Sequence, residues 1–263
     1  RPTNRDMRTL IVAIVATLAR AVVRKYRPLL VGITGSVGKT STKAAVFAVL
    51  ASRYRCRKSE KSLNTEIGLP LAILGRENPH RSFPGWLGVI AHGLRLLLAR
   101  GEYPEVLILE YGVQRPGDMD YLLSIAPPSL AVGTAMGDVP VHVEFFPSLE
   151  AIADAKAEIF FGVETGGAAV LPAESPYFAR LVASARAAGI ERIVAFGEVD
   201  RPEVTVRARA FELHADGSTV EADIADTRIA YRLRLAGRHW VANSLAVLAA
   251  VHALGADVTA ADN

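Results

Sequence analysis

Gly32-Ile33-Thr34-Gly35-Ser36-Val37-Gly38-Lys39-Thr40-Ser41 is the stretch on which the fold turns. Leu29-Leu30-Val31 leads into it as a short apolar strand. Lys39–Arg53 follows as a helix, with Ala44, Val46, Phe47 and Leu50 forming an apolar stripe. Strand, glycine-rich turn and helix, in that order, are the context a phosphate loop requires. Glycines let backbone N–H groups converge on phosphate oxygens, and the helix N-terminus adds positive potential. Thr34, Gly35, Ser36, Val37, Gly38, Lys39, Thr40 and Ser41 are therefore expected to cradle a nucleotide, with Lys39 on the β and γ phosphates and the Thr40 hydroxyl on Mg2+. The spacing departs from G-x-x-x-x-G-K-[ST], because Ile33 stands five residues before Gly38 and the nearest glycines are Gly32 and Gly35. The bland alternative is a strand-to-helix turn with a chance lysine.

Outward from the loop, residues 8–26 read as a helix that Arg27-Pro28 stops, since proline cannot continue the ladder. Its apolar run Leu10–Ala19 is interrupted at Arg20 and is shorter than the roughly 20 residues a membrane span needs. No small-residue cleavage site makes it a signal peptide. With Arg20, Arg24, Lys25 and Arg27 behind it, the helix suits either packing on the domain or peripheral contact with a membrane over residues 8–27.

Toward the C-terminus, Val106–Glu110, Leu130–Thr134, Ala168–Leu171 and Arg192–Phe196 are apolar runs of the kind buried in a parallel sheet, with helices expected at Leu149–Phe161 and 177–189. After Gly197 the texture changes. Val204–Arg209, Phe211–His214, Thr219–Ile224 and Ile229–Leu235 alternate at period two around an Asp216-Gly217 turn, and a last helix spans Trp240–Leu254. The expected fold is α/β: a mostly parallel sheet flanked by helices, containing a phosphate loop, with a small antiparallel β subdomain. The division is residues 1–26 as an N-terminal helix and 27–263 as the core, with the β insertion at about 198–236.

The 263 residues, 51% of them hydrophobic, support one large domain with an appendage. A lone cysteine, Cys56, excludes a disulfide framework and a multi-cysteine metal site, and fits a cytoplasmic compartment. The net charge of +3 conceals an asymmetry: residues 1–61 carry 14 Lys/Arg against Asp6 and Glu60. Such a segment suits a phosphate ligand, an acidic membrane surface or nucleic acid, or is simply a solvated face. No Asn-Lys-x-Asp guanine signature occurs, which argues against a GTPase.

The spacing Gly32-x-Thr34-Gly35-x-x-Gly38-Lys39-Thr40 resembles that of the Mur ligase family. Four further groups of segments extend the likeness in order: Ser62–Pro70; Leu109–Gly112 with Pro116–Asp118; Val141–Glu144; and Ile152–Phe160. Gly237–Asn243 completes it. Ser62-Leu63-Asn64-Thr65-Glu66-Ile67-Gly68-Leu69-Pro70 is similar to the branch that adds D-alanyl-D-alanine to a UDP-muramoyl-peptide.

The resemblance implies ATP and Mg2+ as cofactors and an acyl-phosphate route to an amide bond, with another Mur-type or folylpolyglutamate-type ligase, or a phosphate-loop small-molecule kinase, as the alternatives. It implies UDP-muramoyl-peptide and D-alanyl-D-alanine as partners, no nucleic acid, and a monomer. Lys39, Glu110, His142 and Lys156 would be catalytic. Thr40, Glu110 and His142 would hold magnesium, aided by Lys156 if CO2 converts it to a carbamate. His239 and Asn243, one helical turn apart, would face the adenine. Asn64, Thr65 and Glu66 would meet substrate. Thr65, Tyr111 and residues 76–104 depart from the family pattern, the last as an insertion. The resemblance leads us to expect that the family's C-terminal ligase domain is absent from residues 1–263, so little ligation is expected of them alone.

Overall fold

The computed structural model describes residues 4–60, 63–99, 101–136 and 145–255. The N-terminal half runs α1 (Asn4–Tyr26), β1 (Leu29–Thr34), α2 (Lys39–Leu50), β2 (Cys56–Lys58), α3 (Gly68–Leu74), α4 (Phe83–Leu98), β3 (Val106–Glu110), α5 (Asp118–Ile125) and β4 (Leu130–Gly133). Next come α6 (Leu149–Ala157), which tightens into a 3-10 turn over Glu158–Gly162, β5 (Ala168–Pro172), α7 (Phe178–Ala187) and β6 (Arg192–Gly197). The chain continues through β7 (Val204–His214), β8 (Gly217–Ile224), β9 (Thr227–Leu233) and α8 (Arg238–Ala253).

Among the described residues, nine strands join one sheet in the order β2-β3-β1-β4-β5-β6-β7-β8-β9. Pairs from β2 through β7 are parallel, and β7–β8 and β8–β9 are antiparallel. The antiparallel strands expected after Gly197 thus extend the parallel core without a break. Val204–Arg209 and Phe211–His214 are one strand: the register shifts between Ala208 and Ala210. A bulge there explains why the period-two pattern slips in the sequence.

Period-two placement splits the core between the two sheet faces. Leu30, Leu107, Leu109, Ala131, Ala169 and Leu171 face one cluster, with buried residues of α1, α3, α5 and α7. Val31, Ile33, Ile108, Leu130, Val132 and Val170 face the other, under α2 and α8. The apolar run of α1 is spent in this packing: Val15, Ala16, Leu18, Ala19, Val22 and Val23 are buried. The helix ends where Arg27 takes a positive φ of 46° before Pro28. Four elements went unread in the sequence. These are the short edge strand β2, helices α3 and α5, and α4 within residues 76–104, which packs outside the sheet layers on α1 and α3. Among the described residues no helix is long and apolar enough to cross a membrane.

The strand order places β1 between β3 and β4, where successive connections leave to opposite sides. Crevices at the carboxyl ends of strands at such a point are where open α/β sheets bind ligands.

Candidate functional site

The chain leaves β1 at Thr34 and turns into α2 through residues 35–38. Gly35 and Gly38 have φ of 145° and 87°, which L side chains rarely adopt. Space is also short. A Cβ at Gly35 would come 2.1 Å from Thr134 Oγ1, and one at Gly38 would come 2.6 Å from Asn243 Oδ1. Gly32 has another role. It lies inside β1, where a Cβ would come 2.9 Å from the Tyr111 ring and 3.1 Å from Pro128. The irregular glycine spacing is therefore physical: the turn begins at Gly35, and Gly32 clears room for a fully buried tyrosine. Tyr111 donates its hydroxyl to the Ala126 carbonyl, and burial pushes its pKa up.

Thr134, just past β4, braces the turn from below. Its N–H donates to Thr34 O at 2.8 Å, and its hydroxyl donates to Val37 O at 2.7 Å. The N–H groups of Ser36 and Val37 donate to Ala135 O at 3.0 and 3.2 Å. Lys39 curls back to donate to Gly35 O at 2.7 Å. Lys156, on α6, donates to Ser36 Oγ at 2.7 Å. Burial, and then the nearby charge of Lys39, lower the Lys156 pKa to about 8. Burial lowers the Lys39 pKa as well, while Glu110 pulls it back up. Two lysines thus converge on one turn, from α2 and from α6.

Glu110 ends β3 and is 1% exposed. Its carboxylate pairs with Lys43 at 2.7 Å, one helical turn after Lys39 on α2. Parallel pairing of β1 with β3 sets Glu110 beside Ile33 and so beside the turn. Among the described residues, no group of three or more His, Cys, Asp or Glu gathers as a metal site. The oxygen donors here are the Glu110 carboxylate and the exposed Thr40 hydroxyl on the first turn of α2. Such a sparse, hard donor set suits Mg2+, which keeps several waters and takes phosphate oxygens for the rest. His142 lies outside the described residues.

A cavity of about 770 Å3 opens beside the turn. Pro172, Phe196 and Ala246 give it apolar walls, and Glu174, His239 and Asn243 supply polar groups. Asn243 links this cavity to Gly38, so His239 and Asn243 share one locus with residues 34–41, Glu110 and Lys156. At its rim Arg238 pairs with Glu198, and Glu174 accepts from the Val199 N–H at 3.1 Å. Asn64, Thr65 and Glu66 fall elsewhere. Asn64 O accepts from Gly112 N at 3.0 Å, two residues beyond Glu110. Thr65 and Glu66 line a second cleft of about 760 Å3, with Arg8 on α1 and Arg115 and Asp118 on the far side.

Sequence reasoning missed Lys43, Thr134, Glu174 and Phe196. Only Lys43 had a usable signal, its i+4 spacing from Lys39. The others become neighbours through strand order.

The sequence profile of the Mur ligase middle domain matches residues 33–251. The UDP-N-acetylmuramoyl-tripeptide–D-alanyl-D-alanine ligase of Bacillus subtilis is 33% identical over 159 residues, 60% of this chain and 29% of that protein. The enzyme of the same name from Mycobacterium tuberculosis is 32% identical over 241 residues, 87% of this chain and 39% of that protein. The chain thus spans well under half the length of these curated relatives. In structure, the MurF ligase of Thermotoga maritima in complex with ADP superposes with a TM-score of 0.74 at 24% identity, covering 96% of this chain and 52% of that one. At that identity the likeness shows the fold alone.

Proposed function

The chain belongs to the Mur ligase family through its middle domain, and from that premise we propose that it is the ATP-binding core of a ligase joining D-alanyl-D-alanine to a UDP-muramoyl-peptide. The observation that carries this is the convergence of Lys39, Lys156 and the Glu110 carboxylate on the Gly35–Gly38 turn, next to a cavity sized for a nucleoside. Relatives bearing that ligase name and a neighbour crystallised with ADP support the same reading.

In the proposed reaction a substrate carboxylate attacks the γ phosphorus of ATP, ADP leaves, and an acyl phosphate forms. The amine of the dipeptide then attacks the acyl carbon and expels phosphate. The protein's contribution is positioning and charge neutralisation. Lys39 exchanges its bond to Gly35 O for phosphate oxygens, and the first turn of α2 offers N–H groups that lack helical partners. Thr40 and Glu110 would hold Mg2+, with His142 as a further ligand. Bound there, the ion would offset charge on the phosphates. His239 and Asn243 face the adenine in the cavity, and Asn64, Thr65 and Glu66 meet the carboxylate substrate.

Lys156 is the candidate for carbamylation. Its amine must be uncharged to attack CO2, forming an N–C bond and losing a proton. With a pKa of about 8, about a tenth of the amine is neutral at pH 7. The resulting carboxylate would face Ser36 beside the phosphates.

The deciding assay is ADP release by the complete gene product with UDP-muramoyl-tripeptide, with and without D-alanyl-D-alanine. The proposal expects release only with both. Release independent of any amine would replace it with a phosphate-loop kinase.

A further inference from the structure

Phe83, Leu87, Leu94 and Leu98 are exposed on α4, Leu98 to 85%. At 3.6 residues per turn they fall within an arc of about 60°. Val89 and Gly93, on the other side of the helix, are buried, and a Cβ at Gly93 would come 3.0 Å from Leu18 of α1. The helix is therefore apolar on two faces, and the fold covers one. A helix apolar all round is normally covered all round.

The shoulder of the uncovered stripe is basic. Arg76 reaches over α4, its guanidinium 3.8 Å from where a Cβ of Gly88 would lie. One turn on, His92 has its pKa lowered by burial and then by Arg76, Arg95 and Arg57 around it. Arg76, Arg81 and Arg95 are all exposed. Lys25 of α1 donates to the carbonyls of Leu96, Leu97 and Ala99, so a cation also closes the end of the helix. From Arg76 to Gly101 the only acid in the sequence is Glu77.

We propose that α4 lies lengthwise on an anionic lipid surface, with Phe83, Leu87, Leu94 and Leu98 among the acyl chains and Arg76, Arg81 and Arg95 at the headgroups. An apolar stripe with a cationic shoulder is the pattern of a helix lying in the interfacial plane. Charge favours lipid over a second copy, because a two-fold contact of α4 with α4 would bring the same arginines together. For residues 8–27 the sequence left packing on the domain and membrane contact as alternatives; Val15, Leu18, Ala19 and Val22 of α1 are buried, whereas the apolar stripe of α4 is exposed. The inference is independent of the ligase chemistry.

The test is flotation of the complete gene product with phosphatidylcholine vesicles, with and without about a third phosphatidylglycerol. Binding is expected to the anionic vesicles alone. A Leu87→Glu/Leu94→Glu variant should bind about a hundredfold more weakly, and Arg76→Gln/Arg95→Gln about twentyfold. Unchanged melting temperatures in both variants would show that the fold is intact. Equal binding to neutral vesicles, no vesicle binding, or binding unaffected by the leucine pair would overturn the proposal. So would a dimer in sedimentation without lipid that dissociates in the leucine variant.

Discussion

Beside β1 charge is buried as a pair, whereas at the β7–β9 edge it forms a partly exposed cluster. Lys43 and Glu110 meet with side chains 3% and 1% exposed. At the other end Asp223 gathers Arg207, Arg209 and Arg228 around a carboxylate that water still reaches. Desolvating two ions costs several kcal/mol each, and well-packed apolar residues would do as well for stability. A buried pair at the carboxyl end of parallel strands, one strand over from a glycine turn, thus suits the proposed chemistry. The Asp223 cluster has no such implication, because Arg209 and Arg228 are open to water, where ion pairs gain little. The contrast teaches that burial, more than the number of charges, separates the region of the proposed site from the rest of this sheet.

The sharpest way to break that contrast is Lys39→Ala. If the turn holds phosphates, ADP release at saturating substrates should fall by about a thousandfold. A loss below tenfold would leave the buried charges without their proposed task. Next in size, Lys43→Ala strands the Glu110 carboxylate and should lower the unfolding free energy in urea by about 3–5 kcal/mol. Lys43→Met/Glu110→Leu should recover most of that, and if the double variant stays as unstable as the single one, the pair is more than a desolvated couple.

Lys156 gives a pH signature. Its folded pKa, about 8, lies below its ordinary 10.5. Between those values the unfolded chain binds more protons than the folded one, so this group makes stability rise with pH through that window. Without nucleotide, Lys156→Met should be the more stable protein below pH 8, with the gap closing as pH approaches 10.5. A gap that stays constant would mean the lysine is not held in a desolvated place. The smallest effect belongs to the far end of the sheet, where Asp223→Ala should leave the melting temperature within about 2 °C. A larger fall there would erase the distinction between the two regions.

Legibility differed along similar lines. Strand β1, the turn, α2, β3 and β4 could be read directly, since a continuous apolar run and a glycine-rich turn are local signals. Helix α4 sat unread in residues 76–104, a stretch that stood out only as an insertion against the family pattern. Strand β2 is three residues long, too short for any period. In the site, residues 34–41 were legible as a unit, while Thr134 and Phe196 carried no pattern that linked them to Gly38.

The sequence by itself determined the glycine turn between β1 and α2, the parallel character of the core and the change to alternating strands after Gly197, because each follows from glycine freedom or side-chain period over a few neighbouring residues. Tertiary structure alone decided that Lys43 would meet Glu110, that Lys156 would reach Ser36, and that Tyr111 would need Gly32. Those contacts join residues distant in the chain, and strand order and helix packing bring them together.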